Sequence, residues 1–170
     1  MRGAWLVWIA AASGCTTWCD CGGPQDTVMR RLLDPASRIL ACGDLEAFVV
    51  DPTDTAMLRI ALAHPLEDAA GAETRSELTL PDATASVQIE EGSDLSAGAC
   101  DDVVEEPGPD VVIVWEAAAG ALTVDLRPSD DGDRADLTLE DCTFDTADGA
   151  EFSSNRAVHL LNLAVGWFPG

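Results

Sequence analysis

The sequence predicts an all-β fold: an antiparallel β-sandwich, Ig-like or jelly-roll-like, preceded by a short N-terminal helical or irregular segment. Three features carry that prediction. Apolar residues recur with a period of two over several short runs. Turn-forming residues separate those runs. No helical period is sustained beyond the N-terminal region.

The elements follow in chain order. Residues 16–26 (TTWCDCGGPQD) are polar and broken by glycine and proline, as a tether would be. Residues 27–33 place Val28, Met29, Leu32 and Leu33 on one side of one or two helical turns. Asp34-Pro35 stops them, because the residue before a proline is pushed out of the helical region. After Gly43 the period becomes two. Leu58, Ile60 and Leu62 alternate with Arg59, Ala61 and Ala63, and Val87 and Ile89 alternate with Gln88 and Glu90. Leu122, Val124 and Leu126 alternate with Thr123, Asp125 and Arg127, and Leu137 and Leu139 with Thr138 and Glu140. Each reads as a strand with one apolar face and one wet face.

Residues 111–115 and much of 158–168 are apolar on both faces, which predicts central strands covered on either side. Turns are expected at Asp51-Pro52, Leu80-Pro81-Asp82, Gly92, Pro107-Gly108-Pro109, Gly120, Asp131-Gly132 and Asp148-Gly149. No repeat or long linker divides the chain. Residues 44–170 are therefore expected to form one β-sandwich domain, with 15–43 as a tether and Cys-containing lead-in.

The N-terminus reads as an export signal. Met1-Arg2 is a short positive start, residues 3–12 (GAWLVWIAAA) are apolar, and Ala12-Ser13-Gly14-Cys15 closes the run. Its apolar core is shorter than the ~18 residues a membrane-spanning helix needs. Ser13-Gly14-Cys15 matches a bacterial lipobox, in which a small-small pair precedes the thiol that receives diacylglycerol. Residues 1–14 are thus expected to be a lipoprotein signal peptide and Cys15 the lipidated residue. Two or three acyl chains hold a protein stably at a membrane, where one holds it marginally. The expected address is the cell envelope, lipid-anchored to the outer membrane and facing the periplasm or the cell surface. Thr16, where an Asp would favour inner-membrane retention, points the same way.

Charge narrows the partners. The chain has 31 acidic residues against 9 basic ones, a net charge of −22, with 47% hydrophobic residues. All the basic residues are arginine. Such a surface repels phosphate backbones and anionic headgroups, which excludes nucleic acid as a partner. The apolar content is that of a folded domain and not of a disordered acidic chain.

Six cysteines suit an oxidising compartment: Cys15, Cys19, Cys21, Cys42, Cys100 and Cys142. With Cys15 acylated, five remain, and spacing alone does not settle how they pair. Cys42 with Cys100 is the favoured bridge, and Cys142 is matched with Cys19 or Cys21. A bridge between Cys19 and Cys21 would close a small, strained ring. A thiolate metal site is disfavoured, because Cys19-Asp20-Cys21 lacks the two-residue gap of a zinc knuckle and no second pair follows.

Residues for catalysis are sparse. His159 alternates onto the face of Leu161 and Leu163, where a packed histidine is the ordinary outcome, and His64 precedes Pro65. There is no nucleophile elbow. Glu90-Glu91 and Glu105-Glu106 are adjacent pairs, so on a strand their carboxylates point to opposite faces. Calcium is the most credible ion. Ser129-Asp130-Asp131-Gly132-Asp133 is an acidic loop that could offer Asp130, Asp131 and Asp133 as oxygen ligands, and residues 145–151 form a second such loop. Neither has the spacing of an EF-hand, and a solvated turn explains both.

Leu80-Pro81-Asp82, Gly92, Cys100-Asp101-Asp102-Val103 and the terminal Val165-Gly166-Trp167-Phe168-Pro169-Gly170 together resemble a group of uncharacterised surface lipoproteins from GC-rich Gram-negative bacteria. The resemblance covers most of the chain from about Cys42 onward. It implies a lipid-anchored protein with a single β-sandwich domain, and it carries over no catalytic residue. The expected function is a non-enzymatic structural or interaction module of the envelope. The alternative is an acidic envelope protein that binds a divalent cation or a cationic partner, and an envelope hydrolase ranks third.

Overall fold

The computed structural model describes residues 26–43, 45–63, 72–100, 108–129 and 132–165. One helix, α1 (Asp26–Leu32), precedes nine strands: β1 (Arg38–Cys42), β2 (Glu46–Val50), β3 (Ala56–Leu62), β4 (Thr74–Leu80), β5 (Ala85–Ser93), β6 (Asp110–Arg127), β7 (Arg134–Asp145), β8 (Glu151–Ser154) and β9 (Val158–Ala164). All pairings are antiparallel, and the strands make one continuous sheet in a sandwich-like, all-β architecture.

The long β6–β7 hairpin is the spine. The first half of β6 pairs β5, which leads on through β3 and β2 to β1, and its second half pairs β4 along the same edge. β7 carries β9 beside its first half and β8 beside its second. Between the halves the register slips at Ala117–Ala121, with an extra residue in each strand. In β6 the buried side chains are Trp115 and Ala117 before the slip, then Leu122, Val124 and Leu126 after it. In β7 they are Ala135, Leu137 and Leu139, then Cys142 and Phe144. A one-residue insertion exchanges the two faces of a strand. The double bulge therefore lets one apolar face follow the sheet around its bend, and the curl brings β1 near β9.

α1 packs on β3 and β8 and adds Val28, Met29 and Leu32 to the main core. The helical turns expected at 27–33 are present, and they belong to the folded unit together with β1. Both elements precede residue 44, and the apolar side of α1 packs into the main core.

A second, smaller core lies on the outer face of β2 and β3. Phe48, Val50 and Met57 are covered there by Leu95, which sits in a 3₁₀ turn at Leu95–Gly98. Two links hold that turn down. Cys42 and Cys100 form a disulfide with Cα atoms 5.5 Å apart. Asp54 accepts hydrogen bonds from the Ser96 backbone N–H (2.8 Å) and hydroxyl (2.5 Å).

The turns expected at Asp51-Pro52, Leu80-Pro81-Asp82 and Asp148-Gly149 fall between strands. Gly92 and Gly120 do not. Gly92 lies inside β5 at a register shift, where a Cβ would run into the Asp110 backbone carbonyl of β6. Gly120 lies inside β6 at the bend. Both glycines mark close approaches of backbone within the sheet instead of chain reversals.

Candidate functional site

β6 outruns its partner. Its pairing with β7 begins at Glu116, opposite Asp145, so among the described residues 110–115 pair only with β5. β7 gives way there to the turn at 146–150, which Thr146 fastens by donating to Asp148 and by accepting from the Ala150 N–H at 3.1 Å. Between that turn and the open side of β6 is a groove of about 360 Å³, lined by Val112, Ile113, Val114 and Trp115 on one wall and by Thr146, Ala147, Asp148 and Ala150 on the other.

The groove is mostly apolar, with Asp148 the one acidic residue of its lining. Val112 is 72% exposed, and Val111, Ile113 and Val114 are each more than a third exposed. The central strand expected at 111–115, covered on both faces, is thus corrected: Val111 to Val114 stay exposed on both faces and only Trp115 is buried. Among the described residues β5 alone pairs this stretch. Asp110 and Glu116 bracket the run and both are exposed.

Trp115 fixes the inner end of the groove. Its ring meets Phe152 edge-on at 5.0 Å, and Phe152 stacks on Phe144 at 5.2 Å. Its indole Nε1 donates to Glu91 Oε1 at 2.9 Å. Glu91 also accepts from Arg31 Nη2 of α1 at 3.1 Å, and Arg31 Nη1 donates to Thr55 Oγ1 at 3.2 Å.

Asp51 lies behind this link, 3.8 Å from Arg31 Nε and almost fully buried. It accepts from the Thr53 hydroxyl (2.7 Å) and from the backbone N–H groups of Thr55 (2.7 Å) and Ala56 (3.1 Å). Burial pushes its carboxyl upward, but those three bonds and the Arg31 charge outweigh it and hold the group below the ordinary aspartate value. Every ionised group of the cluster has a partner. The cluster joins the helix, the β2–β3 turn, β5 and β6, and so holds the floor of the groove in place.

The other residues singled out by sequence are placed as follows. Cys15, Cys19, Cys21, Asp130, Asp131, His64, Glu105 and Glu106 lie outside the described residues, as does the segment 1–14. Cys42 and Cys100 are bridged. Cys142 is a free, buried thiol whose Sγ donates to the Glu140 carbonyl at 3.4 Å. Asp133 precedes β7, and its carbonyl accepts from the Val165 N–H at 3.0 Å. Among the described residues no three metal-ligating side chains gather.

His159 is exposed on β9 with Nδ1 3.2 Å from the Thr138 hydroxyl, and Leu161 shares its outward face. Leu163 turns inward instead, because Asn162 at φ +58° breaks the alternation. Glu90 and Glu91 alternate across β5, and only Glu91 joins the cluster described above.

The open edge was missed by sequence reasoning. Its signal was an apolar run with acids at both ends, which reads equally well as a buried strand. No family model, curated protein or solved structure matches the chain.

Proposed function

We propose that this protein is a lipid-anchored lipoprotein of the bacterial cell envelope whose β domain is a non-enzymatic interaction module. The observation that carries the reading is the run from Met1-Arg2 through the apolar residues 3–12 to Ser13-Gly14-Cys15, which places a thiol where acylation occurs. The Cys42–Cys100 bridge supports it, because disulfides persist in exported compartments. The groove beside β6 supports the second half of the reading. A contiguous apolar strip open to solvent is a common mark of a contact surface.

Metabolic labelling tests the anchor. Expressed in a Gram-negative host fed an alkyne-tagged fatty acid, the full chain is expected to take up label and to fractionate with membranes. Cys15→Ser is expected to take up none. Unlabelled wild-type protein, or equal labelling of the serine variant, overturns the reading.

A further inference from the structure

We propose that the open edge of β6 at residues 111–115 is a docking edge that accepts an extended, cationic segment of a partner protein as an added strand. The proposal deepens the interaction-module reading and is independent of acylation at Cys15.

A strand edge presents a row of unsatisfied N–H and C=O groups, and folded proteins ordinarily blunt such edges with lysine, proline, bulges or a covering segment. Residues 111–115 carry no charge and no proline, and no described strand covers their second edge. The register shift at Glu91/Gly92 leaves Val112 as an extra residue of β6, so the bulge lies toward the outer end of this edge. Pairing with β5 is regular from Ile113 to Glu116. An added strand would satisfy the backbone groups that no described residue bonds, and its side chains on the groove side would lie beside Val114, with the bulged Val112 at the outer end.

Charge selects the occupant. Asp110 and Glu116 flank the run along β6, Asp148 lines the facing turn, and the whole chain carries −22. A second copy fits poorly: a symmetric antiparallel pair centred on Ile113 sets Asp110 opposite Glu116, and like charges facing across a ladder destabilise it. An anionic or nucleic-acid partner meets the same repulsion. A segment alternating apolar residues with Lys or Arg meets complementary charge at both ends and apolar contacts between them, and the field of the chain steers it in.

The test uses the full-length chain in non-ionic detergent, with capped Lys-Val-Lys-Val-Lys-Val-Lys as the cationic probe and its Glu-Val counterpart as control. Hydrogen exchange is expected to be fast at those amides of 111–115 that do not bond to β5, and to be slowed there by the cationic probe alone. Raising salt from about 50 to about 300 mM is expected to weaken binding about tenfold. Val112→Lys, at a largely exposed site, is expected to keep the melting temperature and lose about tenfold or more in affinity. Slow exchange at those same edge-facing amides before any probe is added would mean that another part of this chain or a second copy already covers the edge, and it overturns the proposal. Equal protection by the Glu-Val peptide, or none by either, also overturns it. Each of these results leaves the acylation assay untouched.

Discussion

The Cβ position of Gly120 lies 2.5 Å from the Sγ of Cys142, with the Cys142 Cα and the Glu140 carbonyl oxygen at 3.1 and 3.2 Å. This contact is the inside of the bend in the β6–β7 hairpin. Gly120 has φ +144°, a conformation that side chains resist. Gly120→Ala is therefore expected to cost about 3 kcal/mol through strain and overlap together. Cys142→Ala in that background removes the nearest obstructing atom and is expected to return part of the loss. Urea denaturation of the two single variants and the double variant measures the coupling, and strictly additive costs would refute the contact.

Asp51 joins stability to pH. Its carboxyl is held below the ordinary value of 3.8, so its contribution is complete above that pH and is lost as pH falls through its lower folded value. Asp54 is shifted in the same direction: burial opposes ionisation, and the two bonds from Ser96, with Arg38, outweigh it. Urea midpoints are expected to stay level near pH 5 and to drop below about pH 4. Asp51→Asn is expected to flatten that drop. Asp51→Ala, which strands the Thr55 and Ala56 amides, is expected to cost about 2–3 kcal/mol at pH 7.

Cys142 titrates in the opposite sense. Burial first, and then the neighbouring Asp141 carboxylate, raise its thiol from 9.0 to about 11. The unfolded chain therefore loses this proton at lower pH than the folded one. Stability from the neutral thiol is present below pH 9.0 and is lost as pH rises toward 11. Melting temperatures measured between those limits are expected to fall more steeply in the wild type than in Cys142→Ala. Alkylation of Cys142 at pH 8 is expected to require denaturant, because the thiol is both neutral and enclosed. Rapid labelling of the native protein would contradict that placement.

The Cys42–Cys100 bridge spans 58 residues and pins the 3₁₀ turn over Leu95. Closing a loop of that length in the unfolded chain corresponds to about 4 kcal/mol by loop entropy. Reduction, or paired Cys42→Ser and Cys100→Ser substitution, is expected to lower stability by an amount of that order. The loosening is expected to show first at Phe48, Val50 and Met57. Hydrogen exchange before and after reduction locates it: β2 and β3 amides are expected to speed up while those of β7 and β9 change little.

The strands read from alternation were those with one wet face. Leu58/Ile60, Val87/Ile89, Leu122/Val124/Leu126 and Leu137/Leu139 all point into the main core. β2 escaped because Ala47 and Val49 enter one core while Phe48 and Val50 enter the other, which erases the period. β4 escaped for the opposite reason: among the described strands it pairs only β6, and most of its side chains stay in solvent, so little apolar pattern is needed.

By itself, the sequence determined the all-β class, the helical turns before the first strand and the acidic character of the chain; it favoured the Cys42–Cys100 bridge without deciding it. These depend on local periodicity, turn residues and charge, which neighbours in the chain report directly. Only the tertiary structure decided that Gly120 sits inside a strand, that Cys142 lies under it, and that 111–115 ends as an open edge. Each of those depends on where a distant strand stops or shifts register. An apolar run carries the same letters whether its second edge meets a neighbour or solvent, and here no described strand continues along that edge once β7 turns away at Asp145.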